Sequence, residues 1–395
     1  MKAVVQFVFM VLLVVALAEA GSYASLYALG ASNKSFSEIY DPTGNTARYS
    51  GKCNDYLQTV ELDPYLAFTH NKQCSDSDSY KINNLGMLNQ DADLKKDKYY
   101  TIGIFGGSVA ALFAGLTAIP QLEVMLNGCF DSKSGKPFKV LNFSDGSWKQ
   151  PQQLIALALF GDYIDAAVSI EGFNERTLLN KGTTTDLMVP DALYSSLLQN
   201  DFFSNSYFAL SRLKGSVLAK SNTIKLFTFL FRKNLEKRGF YNSYLALKDK
   251  YSIDTYVDVP THNLKRYIGF VKSFDAVAAS KNIYSLIVLQ PVPLHKPLTK
   301  DEAKVVGPLD YEQTYQDIAI ALENNTKAFI NLTDLFRETS RPVFADNIHF
   351  IALDKHLTSY GNYRVAEEII HKLETDKEIT AKANSDACLD GYEPK

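Results

Sequence analysis

Tryptophan is almost missing from this 395-residue chain, which has one, and its six histidines and four cysteines are also few. Charge of one sign is lacking too: 41 basic side chains stand against 44 acidic ones, a net charge of −3. Without a basic field the chain has no means of gripping a polyanion, so no nucleic-acid partner is expected. No Cys-x-x-Cys occurs, which removes zinc ribbons and thioredoxin-type redox centres. No carboxylate–histidine cluster has metal-ligand spacing, and the chemistry is read as free of metal and cofactor. Internal repeats and low-complexity tracts are absent from the sequence as well. What remains is globular in proportion, 46% hydrophobic and 22% charged, which excludes a disordered or collagen-like chain. Phenylalanine and tyrosine are abundant, with 24 and 23 copies. They supply apolar surface but name no ligand.

The first residues read Met1, Lys2 and then an apolar run from Ala3 to Ala18 broken only by Gln6. Ala18-Glu19-Ala20 follows, placing small residues at the −3 and −1 positions of a cut before Gly21. This is the pattern of a secretory signal peptide over residues 1–20, with cleavage preferred to retention as an N-terminal anchor. The expected location is exported: periplasmic, extracellular or attached to the cell envelope, with peripheral or anchored membrane association left open. In an exported chain, Cys53, Cys74, Cys129 and Cys388 allow two disulfides. Cys53 with Cys74 is the local pairing. It leaves Cys129 with Cys388, which would tie down the C-terminal tail.

Residues 21–97 are rich in Ser, Asn, Asp and Tyr and read as an N-terminal extension. From residue 98 to about 380 the pattern is that of one α/β domain, with a tail over 381–395. Strands are expected at Tyr99–Phe105, Phe138–Phe143, Ile164–Ile170, Ile283–Leu289 and Lys327–Leu332. Helices are expected at Ser108–Leu126, Pro151–Phe160 and Val365–Leu373. Such alternation predicts a three-layer α/β/α sandwich around a parallel sheet. A helical insertion is expected at about 176–262. Its basic, Leu- and Phe-rich stretch, Tyr207–Phe240, reads first as a helix pair with solvated lysines; the alternative is a helix that rests on a membrane surface or covers a site.

The strongest chemical signal is Ile104-Phe105-Gly106-Gly107-Ser108. A strand ends, two glycines permit a tight turn, and a serine opens a helix. Ser108 would then sit at the carboxyl edge of the sheet, with its own N–H at a helix N-terminus that can stabilise an anion. The spacing is neither the dinucleotide G-x-G-x-x-G nor the G-x-S-x-G elbow, since residue 110 is Ala.

Three further segments extend the pattern. GIFGGS, VLNFSDGSWKQPQQL, SIEGFNE and FADNIHF, in that order, resemble the four blocks of the SGNH (GDSL-type) hydrolase superfamily. The resemblance implies Ser108 as nucleophile, with an oxyanion hole formed by the N–H groups of Ser108 and Gly146 and the amide of Asn174. The D-x-x-H block implies Asp346 and His349 as the remaining catalytic pair. His356, which heads HLTSYGN, is the alternative base; His349 is preferred because residue 353 is Leu, so no Asp stands three residues before His356. Two departures stand out: Gly107 where the family has Asp, and Glu175 where it has Asp.

The expected function is therefore an exported serine esterase, a hydrolase acting on ester bonds through an acyl-enzyme. A small-molecule, glycan or lipid ester is the expected substrate class. The alternatives are an envelope glycan O-acyltransferase using the same site and a non-catalytic binding module retaining the fold. A nucleotide-binding protein built on GIFGGS is a more distant one.

Overall fold

The computed structural model describes residues 2–35, 60–74, 81–88, 91, 92, 94, 97–115, 117, 119–180, 217–237, 259–300, 302, 312–344, 356–382 and 385–394. The elements run α1 (Lys2–Ala28), β1 (Val60–Asp63), β2 (Ala67–His70), β3 (Tyr100–Gly106), α2 (Ser108–Gly115), α3 (Gln121–Cys129), β4 (Phe130–Ser132) and β5 (Phe138–Ser144). Next come α4 (Gln152–Phe160), β6 (Ala166–Glu171), α5 (Phe173–Asn180), α6 (Asn222–Lys237), α7 (Val259–Ser280) and β7 (Tyr284–Leu289). The chain closes with α8 (Glu312–Glu323), β8 (Phe329–Asn331), α9 (Ser359–Thr375), β9 (Ile379–Ala381) and α10 (Ser385–Asp390).

Two compact units emerge. Met1–Gln58 and Pro190–Tyr251 form one; Thr59–Val189 and Ser252–Lys395 form the other. The first, helical unit contains α1 and α6, which pack together through Leu26, Ala31, Phe229 and Leu226. It takes up the middle of the expected insertion. Residues 59–97, read from sequence as extension, fall with the sheet.

The second unit is the three-layer α/β/α sandwich. Its five-stranded sheet is parallel throughout, in the order β5-β3-β6-β7-β8. Every residue of β3 and β6 is buried, as expected where helices cover both faces. The period of two divides the side chains. Tyr100, Ile102, Ile104, Val140, Val168 and Val288 join α3 and α9 in one core. On the opposite face Phe105 stacks on Phe143 at 5.4 Å and meets Phe274 of α7 edge-on at 5.5 Å. Gly103 leaves room for this pair, because a Cβ there would lie 2.9 Å from the Phe105 ring.

The helix expected over Ser108–Leu126 is two helices, α2 and α3. Pro120 lacks an N–H and precedes the first residue of α3, so a single helix cannot run through it. The antiparallel pair β4–β9 was not foreseen; each strand is three residues long, too short for periodicity to register. Cys129, ending α3, is disulfide-bonded to Cys388 of α10, the pairing expected for the tail. Cys74 is also disulfide-bonded; Cys53 lies outside the described residues.

Candidate active site

In sequence rank the central strands follow the order 2-1-3-4-5, so chain direction across the sheet reverses between β3 and β6. At such a switch point the connections leave a crevice beyond the carboxyl ends of the strands. Ser108 follows β3 directly and Asn174 follows β6, so both stand at that crevice.

Sterics dictate the turn after β3. Gly106 has φ 145°, and a Cβ there would lie 2.3 Å from the Ile170 carbonyl oxygen of the neighbouring strand. A Cβ on Gly107 would lie 2.1 Å from Asn174 Nδ2 and 2.9 Å from the Trp148 carbonyl oxygen. Glycine at 107 thus lets the Asn174 amide press against the turn that bears Ser108. Asn174 Nδ2 donates to Trp148 O at 2.7 Å, which fixes the side chain.

The histidine found at Ser108 is His356, whose Nε2 lies 2.9 Å from Ser108 Oγ. His356 is buried, with 1% exposed. A long-range pairing brings it there. Phe344 bridges Leu357, and the Thr358 N–H donates to Val343 O at 2.9 Å. Thr358 then caps α9 by accepting from the Gly361 N–H at 3.1 Å. The paired segment is held from behind by Glu302, which accepts from the N–H groups of Val343 (2.9 Å) and Phe344 (3.1 Å) and pairs with Lys296 at 2.7 Å. Burial works to raise the Glu302 pKa, but the Lys296 ammonium and the backbone donors outweigh it and hold it at about 2. Asp346 and His349 lie outside the described residues.

Gly146 lies two residues beyond the end of β5. Its N–H donates to its neighbour's carboxylate, Asp145 Oδ1, at 2.5 Å. A Cβ at 146 would meet no protein atom within 4 Å. The positive φ of the Asp145–Trp148 turn belongs instead to Ser147, at 66°. Asp145 is buried and pairs with His70 Nε2 at 2.7 Å. His70, at the end of β2, carried no signal in the sequence beyond being a scattered histidine. The same hairpin braces the loop twice more: Trp148 Nε1 donates to Phe68 O at 3.2 Å and Gln152 Nε2 to Leu66 O at 2.7 Å.

Glu175 takes the third helical position of α5. Its Oε2 accepts from the Gly172 N–H at 2.9 Å, the return half of a capping box. Its Oε1 accepts from Gln150 N at 3.3 Å and Gln153 Nε2 at 3.2 Å. One carboxylate thus ties the helix bearing Asn174 to the loop bearing Trp148. Beside it, Glu171 accepts from Gln150 Nε2 (2.7 Å), Ser169 Oγ (2.6 Å) and Tyr267 OH (2.7 Å). Burial, and then the nearby Glu175 charge, push the Glu171 carboxyl up to about 7; burial also raises Glu175. Two such carboxyls resist simultaneous ionisation.

No family model matches the chain, and no curated protein matches it. Among solved structures, a GDSL-like lipase from Bacteroides thetaiotaomicron VPI-5482 aligns at 10% identity and TM-score 0.35, covering 72% of this chain and 93% of the lipase. A candidate acylhydrolase from Bacteroides fragilis NCTC 9343 aligns at 10% identity and TM-score 0.35, covering 72% and 89%. Likeness this distant carries no argument about activity, which rests on the geometry above.

Proposed function

We propose that the protein is an exported serine esterase of the SGNH type, and that Ser108 and His356 carry its chemistry. The observation behind this reading is the 2.9 Å contact between His356 Nε2 and Ser108 Oγ at the sheet's switch point. A serine hydroxyl is a weak nucleophile until an adjacent base accepts its proton. His356 takes that proton as Ser108 Oγ bonds to the ester carbonyl carbon. The oxyanion formed is met by the Ser108 N–H, in the first turn of α2 where N–H groups have no intrahelical acceptor, and by the Asn174 amide. Collapse expels the alcohol, which receives the proton from His356. Water, deprotonated by the same imidazole, then releases the acid from the acyl-enzyme. The Gly146 N–H is left out of this reading because it donates to Asp145. Asp346 keeps only the candidacy its sequence motif gives it.

Hydrolysis of p-nitrophenyl acetate by single and double variants tests the proposal. Ser108→Ala and His356→Ala should each lower kcat/KM by roughly three orders of magnitude or more, and the double variant no further, because nucleophile and base act as a unit. His349→Ala should stay within about tenfold of the parent, a difference under 1.4 kcal/mol. A severe loss at His349 with His356→Ala unaffected would return the base to the sequence's first choice.

A further inference from the structure

The N-terminal helix has two unlike halves. From Phe9 to Ala18 every described side chain is exposed, among them Phe9, Val14 and Leu17 at 64–66%. Beyond that point Ser22, Leu26 and Ala31 are buried. The change falls at Glu19, and Glu19 is engaged. Its carboxylate accepts from the Asn222 N–H at 2.7 Å, from the Thr223 N–H at 3.4 Å and from the Ser221 hydroxyl. It therefore serves the first N–H groups of α6, where a negative charge also meets the positive end of the helix dipole. Ser22 Oγ adds a bond to Thr223 Oγ1 at 3.3 Å, and Leu26 and Ala31 close on Phe229.

A leader removed on export has no folded contact to keep. Cleavage before Gly21 would take away Glu19 and leave the start of α6 without its acceptor. We propose that residues 1–20 are retained as a membrane anchor, and that α6, capped by Glu19, starts at the bilayer surface and packs along the emerging part of α1. The occupant of the exposed face is a lipid bilayer. Ala3–Ala18 makes about 24 Å of helix at 1.5 Å per residue. That is close to the shortest run that spans a hydrocarbon core, and slight thinning of the bilayer meets the remainder. Lys2 closes one end of the run and Glu19 the other.

On α6, Phe227 and Leu230 are exposed and Phe227 stacks on Phe231 at 6.2 Å. These positions, i, i+3 and i+4, share one helix face, while Phe229 faces the seam with α1. Lys220 and Lys233 are exposed near the two ends of the helix. The start of α6, held by Glu19 and preceded by the exposed Lys220, is the part that meets anionic headgroups.

The test is expression of the full chain in an exporting bacterial host, followed by membrane isolation, alkaline carbonate washing and intact-mass measurement. Retention predicts a carbonate-resistant, detergent-released chain whose mass includes residues 1–20. A mature chain beginning at Gly21, in either fraction, overturns the anchor. A second variant replaces residues 1–20 by an unrelated cleavable leader, so that the released chain starts at Gly21. It should be soluble and should be cut by trypsin at Lys225 and Lys233 at least tenfold faster than the full chain in detergent. Equal protection would overturn the role of Glu19 in holding α6.

Discussion

Two turns border the crevice, and their glycines do different work. In the turn after β3, Gly106 and Gly107 are demanded by space: added Cβ atoms would lie 2.3 Å from Ile170 O and 2.1 Å from Asn174 Nδ2. In the Asp145–Trp148 turn, Gly146 faces open space while its neighbour Ser147 adopts the left-handed conformation. Protein packing thus demands the two glycines of the first turn and not Gly146. The first turn is set by its fit to neighbouring strands. The second is set by bonds from outside it: Asp145 pairs with His70, Trp148 Nε1 donates to Phe68 O, and Trp148 O accepts from Asn174.

The contrast can be broken most forcefully at the first turn. Gly107→Ala pushes the Asn174 amide away from Ser108. Its kcat should fall by about 10²–10³, the usual effect of losing one oxyanion donor. Asn174→Ala should do the same, and the double variant should lose little more, as p-nitrophenyl acetate kinetics would show. Independent, multiplying losses would mean that Gly107 acts through something other than Asn174. Gly106→Ala should appear mainly as lost stability, about 1–3 kcal/mol from backbone strain alone, with the Ile170 clash added; a urea midpoint measures it.

Glu175→Gln sharpens the comparison at the second turn. A neutral amide can still accept from Gly172 but loses strength towards Gln150, so the loop should loosen. We expect kcat to fall by about tenfold with KM little changed, a barrier increase of about 1.4 kcal/mol. A KM change alone would assign Glu175 to substrate binding instead. The smallest effect is expected at Gly146→Ala, with stability within about 0.5 kcal/mol of the parent and kinetics unchanged. A large loss there would restore Gly146 to the oxyanion hole that the resemblance implied.

The buried pair also gives a pH signature. With Glu171 raised from 4.5 to about 7, the folded protein binds more protons than the unfolded one in that interval. Stability from this pair should therefore fall as pH rises from about 4.5 to 7 and level off above it. Glu171→Gln should flatten that slope in urea titrations at pH 5 and 7.5. An unchanged slope would show that the pair does not titrate in this range.

The central strands were legible because burial on both faces writes an unbroken apolar run, as in Ile164–Ile170. Ser108 was legible because it closely follows such a strand, Asn174 only through the resemblance carried by its SIEGFNE segment. The base was not. D-x-x-H at 346–349 is a local string, whereas the pairing of Val343–Phe344 with Leu357–Thr358 that delivers His356 depends on segments separated in sequence and on Glu302 behind them. The tie from His70 to Asp145 was hidden for the same reason. Pro120, by contrast, was present in the sequence and marked the break between α2 and α3; the apolar periodicity on either side masked it. Glu19 read as the middle of a cleavage site, since nothing local links it to Asn222.

The central claim is that Ser108 is a nucleophile activated by His356, and covalent labelling reaches it most directly. The full chain is incubated with a fluorophosphonate probe and the adduct is located by peptide mass spectrometry. We expect a single adduct on the peptide containing Ser108, formed in the parent and in His349→Ala but slowed by at least a hundredfold in His356→Ala. An adduct on another serine, or labelling of Ser108 that ignores His356 and fails with His349→Ala, would contradict the account.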